Sequence, residues 1–347
     1  MNEERSRDEY LWDRSGAPDP EVARLEALLS RYRHRGALPP LPERDRAPRR
    51  VAVQAAFQIL TAAASLALVA AAAWFALSAR QSGWTVQSLA GAPAVAGTPI
   101  EAPARLPIGQ TVTTDAASRA RIDIGSIGIV DVEPNSRVRL ITSRAGEHRM
   151  SLDRGGIRAR IWAPPRLFFV NTPAATAIDL GCAYTLRVDD RGWGKVQVEA
   201  GWVAFESGGR ESFIPQEAVC ATRPGVGPGT PCYQDAPAGL EEALTILDFS
   251  STQDVRRGAA LDTVLGAARP RDALTLWHLL SRGTTDERGR VYDRMAALIP
   301  PPQGVTRERV VRGDRTALDA WWNALGLGTS SWWRFWKAPW QQPKQGR

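Results

Sequence analysis

The sequence predicts a multidomain membrane protein with one transmembrane helix, an all-β outer domain and then a C-terminal α-helical domain. Three patterns support this prediction: an uncharged run at 51–79, alternating apolar and polar residues in 108–225, and apolar residues at helical spacing in 226–330. The rest of the chain comprises an N-terminal segment, a linker and a Trp-rich tail, at residues 1–50, 80–107 and 331–347.

The predicted membrane span runs from Val51 to Ala79 and contains no charged residue. About 20 helical residues cross a bilayer core, and each backbone amide left unpaired in hydrocarbon costs several kcal/mol. A buried helix of a soluble domain is the alternative, but such helices rarely exceed about 25 residues without a cap or a charge. We therefore expect a helix across the membrane, with Trp74 and Trp84 at its far interface.

Positive charge is concentrated on the N-terminal side of this span. Four arginines crowd that side, whereas only Arg80 follows the span before Arg105. Basic residues near the ends of a span stay in the cytoplasm. The chain is therefore predicted to cross the membrane once, with residues 1–50 inside and the residues after Ala79 outside. The four arginines are Arg44, Arg46, Arg49 and Arg50.

The formal net charge of +7 does not by itself predict nucleic-acid binding. Acidic residues are interspersed among the basic ones, and no dense basic stripe with interleaved aromatic residues is present. Most of the basic residues also lie on the outer side of the predicted span. We expect an ordinary solvated surface and no direct contact with nucleic acid.

One amphipathic helix is predicted in the N-terminal segment, followed by a Pro-rich linker to the membrane. Pro18, Asp19 and Pro20 supply a start signal, and apolar residues then recur on one face. A segment this short cannot bury a core of its own, so the stripe is predicted to enter a partner's groove. The alternative is that it folds back onto Trp12 or the membrane surface. The candidate partner-binding residues are Trp12, Val22, Leu25, Leu28 and Leu29.

The outer β domain is predicted from strict alternation. In the first clear segment, Ala120, Ile122 and Ile124 fall on one face, while Arg121 and Asp123 fall on the other. Six further segments follow the same rule and are separated by turn residues. Short strands at this spacing indicate an antiparallel sandwich or roll.

All three cysteines lie on the predicted outer side, where an oxidising compartment permits disulfides. Cys220 and Cys232 flank a loop rich in Gly and Pro, and we predict a disulfide between them. Cys182 is expected to be buried in the strand that follows Gly181. An odd number of cysteines leaves one thiol over, and the connectivity cannot be read from the sequence.

The last third of the chain is predicted to be helical. Thr284 and Glu287 form a capping-box pattern, and a further helix is expected to start at Asp314. His278 is expected to be a packed residue and not a ligand. The Trp-rich tail either lies at a membrane interface or packs on the helical domain, and the sequence leaves both alternatives open. Its aromatic and basic residues are Trp332, Trp333, Arg334, Phe335, Trp336, Lys337 and Trp340.

Residues 108–220 carry a pattern of turns that belongs to a known family. An apolar strand ends at Thr172-Pro173, Gly181-Cys182 follows, Tyr184 lies in the next strand, and a Val-rich strand ends at Glu199 to Val203. This pattern resembles the FecR domain, which has Gly-Thr at the second position and a last turn one residue shorter. The resemblance covers about a third of the chain and implies a FecR-like β domain at 108–225.

The resemblance implies a function in transmembrane signalling. FecR-domain proteins typically pass a signal from the periplasm through one helix to an extracytoplasmic-function sigma factor bound by the N-terminal segment. The resemblance therefore implies that this chain lies in the bacterial inner membrane, with its N-terminus in the cytoplasm. The later domains would lie in the periplasm, where they would meet a periplasmic partner. The alternative is an envelope scaffold or binding module whose β domain binds another protein or a glycan.

No catalytic residue, cofactor site or metal site is predicted. The three histidines, His34, His148 and His278, are scattered, and no phosphate-binding loop or nucleophile motif is present. Adjacent carboxylates such as Asp189 and Asp190 point apart on a strand or helix. We therefore expect that the protein is not an enzyme.

Overall fold

The computed structural model describes residues 17–33, 36 and 83–328. They belong to two compact units that divide between Ala71 and Ala72, and each unit is described by itself. The predicted span at Val51–Ala79 and the Trp-rich tail lie outside the described residues. Within the described ranges, no helix combines the length and the apolar character needed to cross a membrane.

The first unit contains helix α1, Pro20–Leu29, which continues into a 3₁₀ turn at Ser30–Tyr32. Its start follows the predicted signal, because Asp19 Oδ1 accepts a hydrogen bond of 2.9 Å from the Glu21 N–H. Pro20 occupies the first helical position, where a missing N–H costs no helical bond. The predicted N-terminal helix is therefore confirmed.

The described part of the second unit begins with eighteen strands, which extend from residue 83 to residue 233. Their bounds are β1 Gly83–Ala90, β2 Ala94–Val95, β3 Thr98–Pro99, β4 Ala104–Pro107, β5 Thr111–Thr113, β6 Arg119–Asp123, β7 Gly128–Val132, β8 Arg137–Arg144, β9 Glu147–Ile161, β10 Phe168–Asn171, β11 Thr176–Asp179, β12 Ala183–Val188, β13 Gly194–Ala200, β14 Trp202–Ser207, β15 Arg210–Pro215, β16 Ala218–Arg223, β17 Gly227–Pro228 and β18 Cys232–Tyr233.

The long strand β9 belongs to two sheets at once. Its first half pairs with β8 and, in parallel, with β10, whereas its second half pairs antiparallel with β7 and β12. The change occurs at Gly155, whose φ of +88° favours glycine. A Cβ at Gly155 would lie only 2.4 Å from Cα of Ser136, so no larger residue fits without a shift. Apart from the parallel pair, the predicted antiparallel β domain is confirmed.

The prediction of a linker at 80–107 is wrong, because strands β1 to β4 lie there. In β1, Trp84 pairs with Leu106 and Val86 pairs with Ile122. Trp84 is only 3% exposed, and its ring lies 6.2 Å from that of Phe168. Trp84 is therefore a core residue of the β domain and not the membrane-interface residue that we expected.

Six α-helices follow the strands in the described chain. They are α2 Leu240–Phe249, α3 Arg256–Ala267, α4 Ala273–Leu280, α5 Thr285–Leu298, α6 Arg307–Val311 and α7 Arg315–Ala324, with a 3₁₀ turn at Pro270–Asp272. The predicted capping box is present, since Thr284 and Glu287 exchange side-chain-to-backbone hydrogen bonds. The predicted start at Asp314 is also confirmed, because its Oδ1 accepts from the Thr316 N–H at 2.9 Å.

The helices pack against the strands and share one hydrophobic core with them. Trp322 of α7 lies in the centre of the contact, with its ring 4.6 Å from Trp277, 5.9 Å from Phe213 and 6.3 Å from Trp202. Every residue of α4 is buried. The C-terminal helices therefore form a layer on the β domain, at the side where β14 and β15 lie.

Candidate functional site

Helix α1 presents the predicted partner-binding stripe to solvent. Leu25, Leu28 and Leu29 are 57%, 49% and 62% exposed, and Val22 is partly exposed. Their spacing of three and four residues places them on one face of the helix. No residue of α1 is buried. The structure therefore brings these four side chains together on an open surface, while Trp12 lies outside the described residues.

Tyr32 extends this surface, although the sequence analysis did not include it. The residue is 76% exposed and follows Leu28 by four positions, so it continues the same face by one turn. The spacing of four residues from Leu28 was the signal in the sequence that could have identified it. Burying each large apolar side chain in a partner's groove would contribute about 1.5–3 kcal/mol.

The predicted disulfide is not formed in the structure, where all three cysteines are free and buried. Cys232 pairs with Val219 across β18 and β16, and Cys220 is the next residue after Val219. Successive side chains of a strand point to opposite faces, so Cys220 and Cys232 face away from each other. Burial raises the pKa of both thiols to about 12, which leaves them protonated and unreactive at neutral pH.

A buried polar cluster lies between β11 and β12, around Asp179. The Cys182 thiol donates to Asp179 Oδ2, and the Gly181 N–H donates to Asp179 Oδ1 at 2.8 Å. The hydroxyl of Tyr184, in β12, is buried nearby and has no hydrogen-bond partner among the described residues. Burial raises the pKa of Asp179 to about 7, against the lowering effect of its hydrogen bonds. This carboxyl can therefore change its charge near neutral pH.

Among the described strands, β15 pairs with β14 alone, and side chains of the helical layer bind backbone groups on its other edge. The His278 Nε2 accepts from the Phe213 N–H at 3.1 Å, and Arg282 Nη2 donates to the Glu211 carbonyl at 2.6 Å. His278 Nδ1 lies 2.8 Å from the Leu274 carbonyl. A ring that accepts at Nε2 and donates at Nδ1 is neutral, and burial lowers the pKa of His278 well below its usual range.

His278 and Arg282 take the place of a neighbouring strand on this edge of β15, because an open edge would otherwise present unpaired backbone groups. The expectation that His278 is a packed residue is confirmed. Its specific role was not predictable, since Phe213 lies 65 positions away in the sequence.

An ion network anchors the same junction between helices and strands. Asp248 of α2 accepts from Arg210 Nη2 at 2.7 Å and from the Thr230 N–H and hydroxyl at 2.6 and 2.9 Å. The Arg282 guanidinium lies 3.8 Å from the same carboxylate. Burial lowers the pKa of Arg282 to about 10; the charge of Arg210 adds to this effect and Asp248 opposes it. Sequence analysis missed this network because its members are far apart in the chain.

None of these clusters has the composition of a metal site. Within residues 17–33 and 83–328, no three His, Cys, Asp or Glu side chains are grouped so that they could hold a metal ion. The expectation that the protein is not an enzyme remains a prediction.

Comparisons with known proteins find solved structures only. No protein-family model matches the chain, and no curated protein matches it. Two crystal structures, each of a candidate anti-sigma factor from Parabacteroides distasonis, are similar to it. One has 13% identity and a TM-score of 0.32 over 38% of this chain and 63% of that one. The other has 12% identity and a TM-score of 0.32, over 45% and 73%.

The chain thus spans less than two thirds of the length of the first of these structures. Likenesses with these identities and TM-scores establish neither the family nor the function of this chain. The resemblance to the FecR domain therefore stays a prediction.

Proposed function

We propose that this protein is a sigma-factor regulator in the bacterial inner membrane. In this proposal the N-terminal helix binds an extracytoplasmic-function sigma factor in the cytoplasm. The span at Val51–Ala79 connects that helix to the β domain and its helical layer in the periplasm, where a partner or signal is received.

The observation that carries the proposal is the open apolar face of α1. Most helical stability in proteins comes from packing an apolar face. The three leucines of α1 are about half exposed or more, so their packing within the chain contributes little stability to the helix. An amphipathic helix in a partner's groove supplies that packing. The uncharged run between this helix and the β domain supports the second part of the proposal, because a run of this length is long enough to cross a bilayer core as a helix.

A pull-down from the source cells tests the proposal. The full chain in a mild detergent is compared with a variant that begins at Val51 and therefore lacks the helix. We expect the full chain to retain a sigma factor and the shortened chain to lose it. Retention of envelope proteins or glycans by both chains, with no sigma factor on either, would contradict the proposal and favour the scaffold alternative.

A further inference from the structure

An open groove runs beside β15, along the edge that His278 and Arg282 cap, where the helical layer meets the β domain. Arg210 and Glu211 line one side of it, and Arg288, Arg315 and Asp319 line the other. We call it the β15 groove. It continues over the turn between β14 and β15 towards Glu206. The aromatic side chains of Phe213 and Trp277 also line it.

Two arginines of the groove lack the ion pairs that their neighbours make. Arg307 pairs with Asp293 and Arg309 pairs with Asp314. Neither Arg288 nor Arg315 forms an ion pair among the described residues. Arg288 also has a buried Nε with no hydrogen-bond partner there, and its Nη1 reaches the Val311 carbonyl only at 3.4 Å. Most of its guanidinium donors therefore have no hydrogen-bond partner among the described residues.

The charges of the groove select the kind of occupant. Carboxylates from Glu206, Glu211 and Asp319 line it together with the arginines, so a small anion would meet repulsion as well as attraction. A peptide segment that carries both aromatic rings and cations fits better. Its rings stack on guanidinium faces, and its cations lie beside the carboxylates.

A segment of this composition follows directly in the chain. The described chain ends at Gly328, four residues after α7, whose Trp322 touches Phe213 and Trp277 at the groove. Leu318 lies about 9 Å along α7 from Ala324, at 1.5 Å per residue. The four residues from Gly328 to Trp332 can span about 13 Å when extended. The tail is therefore within reach of the groove.

We propose that the Trp-rich tail, residues 331–347, docks in the β15 groove. The groove offers the side chains of Arg288 and Arg315 to the aromatic residues of this segment. This proposal decides between the two interpretations that the sequence left open, in favour of packing on the domain. It does not depend on the identity of the partner of α1.

Limited trypsin digestion of the full chain in a mild detergent tests the docking, with cleavage sites followed by mass spectrometry. Trypsin cuts after Arg334, Lys337 and Lys344. We expect cleavage after Arg334 and Lys337 to be at least tenfold slower than cleavage after Lys344. The double variant Arg288→Gln/Arg315→Gln should remove most of this protection.

The matched control is Arg139→Gln/Arg312→Gln, which removes two exposed arginines outside the groove and should leave the protection unchanged. A tail variant, Trp333→Ala/Trp336→Ala, leaves every described residue intact and should expose the same two sites. Circular dichroism reports whether the groove variant folds. If it does not fold, the tail variant tests the docking instead.

Three outcomes would overturn the proposal. The first is cleavage after Arg334 as fast as after Lys344 in the unmodified chain. The second is protection that appears only with phospholipid vesicles and survives Arg288→Gln/Arg315→Gln, which would assign the tail to the membrane surface. The third is protection that disappears on dilution, which would assign it to a second copy of the chain.

Discussion

Asp179 is a buried acid of the β domain whose pKa is raised by its burial. Its carboxyl is 1% exposed, and no cation approaches it among the groups that shift its pKa. Because the folded-state pKa of about 7 lies above the ordinary value of 3.8, the folded state holds this proton more tightly than the unfolded state does. The resulting stabilisation is complete below about pH 4 and is lost as the pH rises through 7.

The predicted consequence is a pH-dependent difference between the unmodified chain and Asp179→Asn. Buried neutral His278 contributes a slope of the opposite sign below pH 6.5, so the unmodified chain alone does not isolate the effect. Between pH 5 and pH 8, the free energy of unfolding of Asp179→Asn should rise by about 3 kcal/mol relative to the unmodified chain. Urea unfolding at both pH values measures this, and a difference that is constant with pH would contradict it.

His278 is the second residue whose role is specific. Replacing it with alanine leaves the Phe213 N–H buried without its acceptor and opens a cavity beside Trp277 and Trp322. We expect His278→Ala to lower the free energy of unfolding by about 2–4 kcal/mol. The control is His148→Ala, which alters a half-buried ring and should cost less than about 1 kcal/mol. Equal losses in the two variants, measured by urea unfolding, would refute the edge-capping role.

At the scale of elements, the bend of β9 has the sharpest test. Adjacent glycines at its centre differ in what they allow. A Cβ on Gly155 would lie 2.2 Å from Ser136 Oγ, and a residue with a side chain there would have to adopt a positive φ. A Cβ on Gly156 would meet nothing closer than 3.4 Å. Gly155→Ala should therefore destabilise the chain by about 2–4 kcal/mol, and Gly156→Ala by less than about 1 kcal/mol. Similar melting temperatures for the two variants would show that the bend does not need a glycine.

The elements also show what the sequence could and could not predict. Helices α1, α5 and α7 were predictable because their signals are local: a cap, a capping box and a repeat of three to four residues. Strands β1 to β4 were missed because their segment is rich in Gly, Ala and Pro, and because β1 finds its partners in β4 and β6. The disulfide was predicted from the Gly- and Pro-rich loop between Cys220 and Cys232, but the alternation of side chains along β16 places the two thiols on opposite faces.

At the scale of the whole molecule, the junction of helices and strands was not predictable from the sequence. Asp248, Arg210 and Arg282 come from three separate parts of the chain, and only the packed fold brings their charges together. The four stripe residues Val22, Leu25, Leu28 and Leu29 were predictable, because they depend on local spacing in one short helix, whereas Tyr32 beyond the helix was missed. The placement of the N-terminal helix and the β domain on opposite sides of a membrane is a prediction from composition alone.

This layout predicts a definite topology. A reporter enzyme that is active only in the periplasm should work when fused after Arg80 and fail when fused at Arg35, because positive charge is concentrated before Val51. An enzyme active only in the cytoplasm serves as the control and should show the reverse pattern. Activity of the periplasmic reporter at Arg35 would contradict the proposed orientation.

The affinity of the full chain for its sigma factor tests the central claim most directly. Leu25→Asp/Leu28→Asp places two charges in the proposed contact, and the matched control, Ala23→Asp/Ala27→Asp, places the same charges on the opposite exposed face of α1. We predict that the leucine variant weakens binding at least a hundredfold, equivalent to about 2.8 kcal/mol, while the alanine variant changes it less than about threefold. Undiminished binding by the leucine variant, or equal losses in both, would contradict the assignment of this face to the sigma factor.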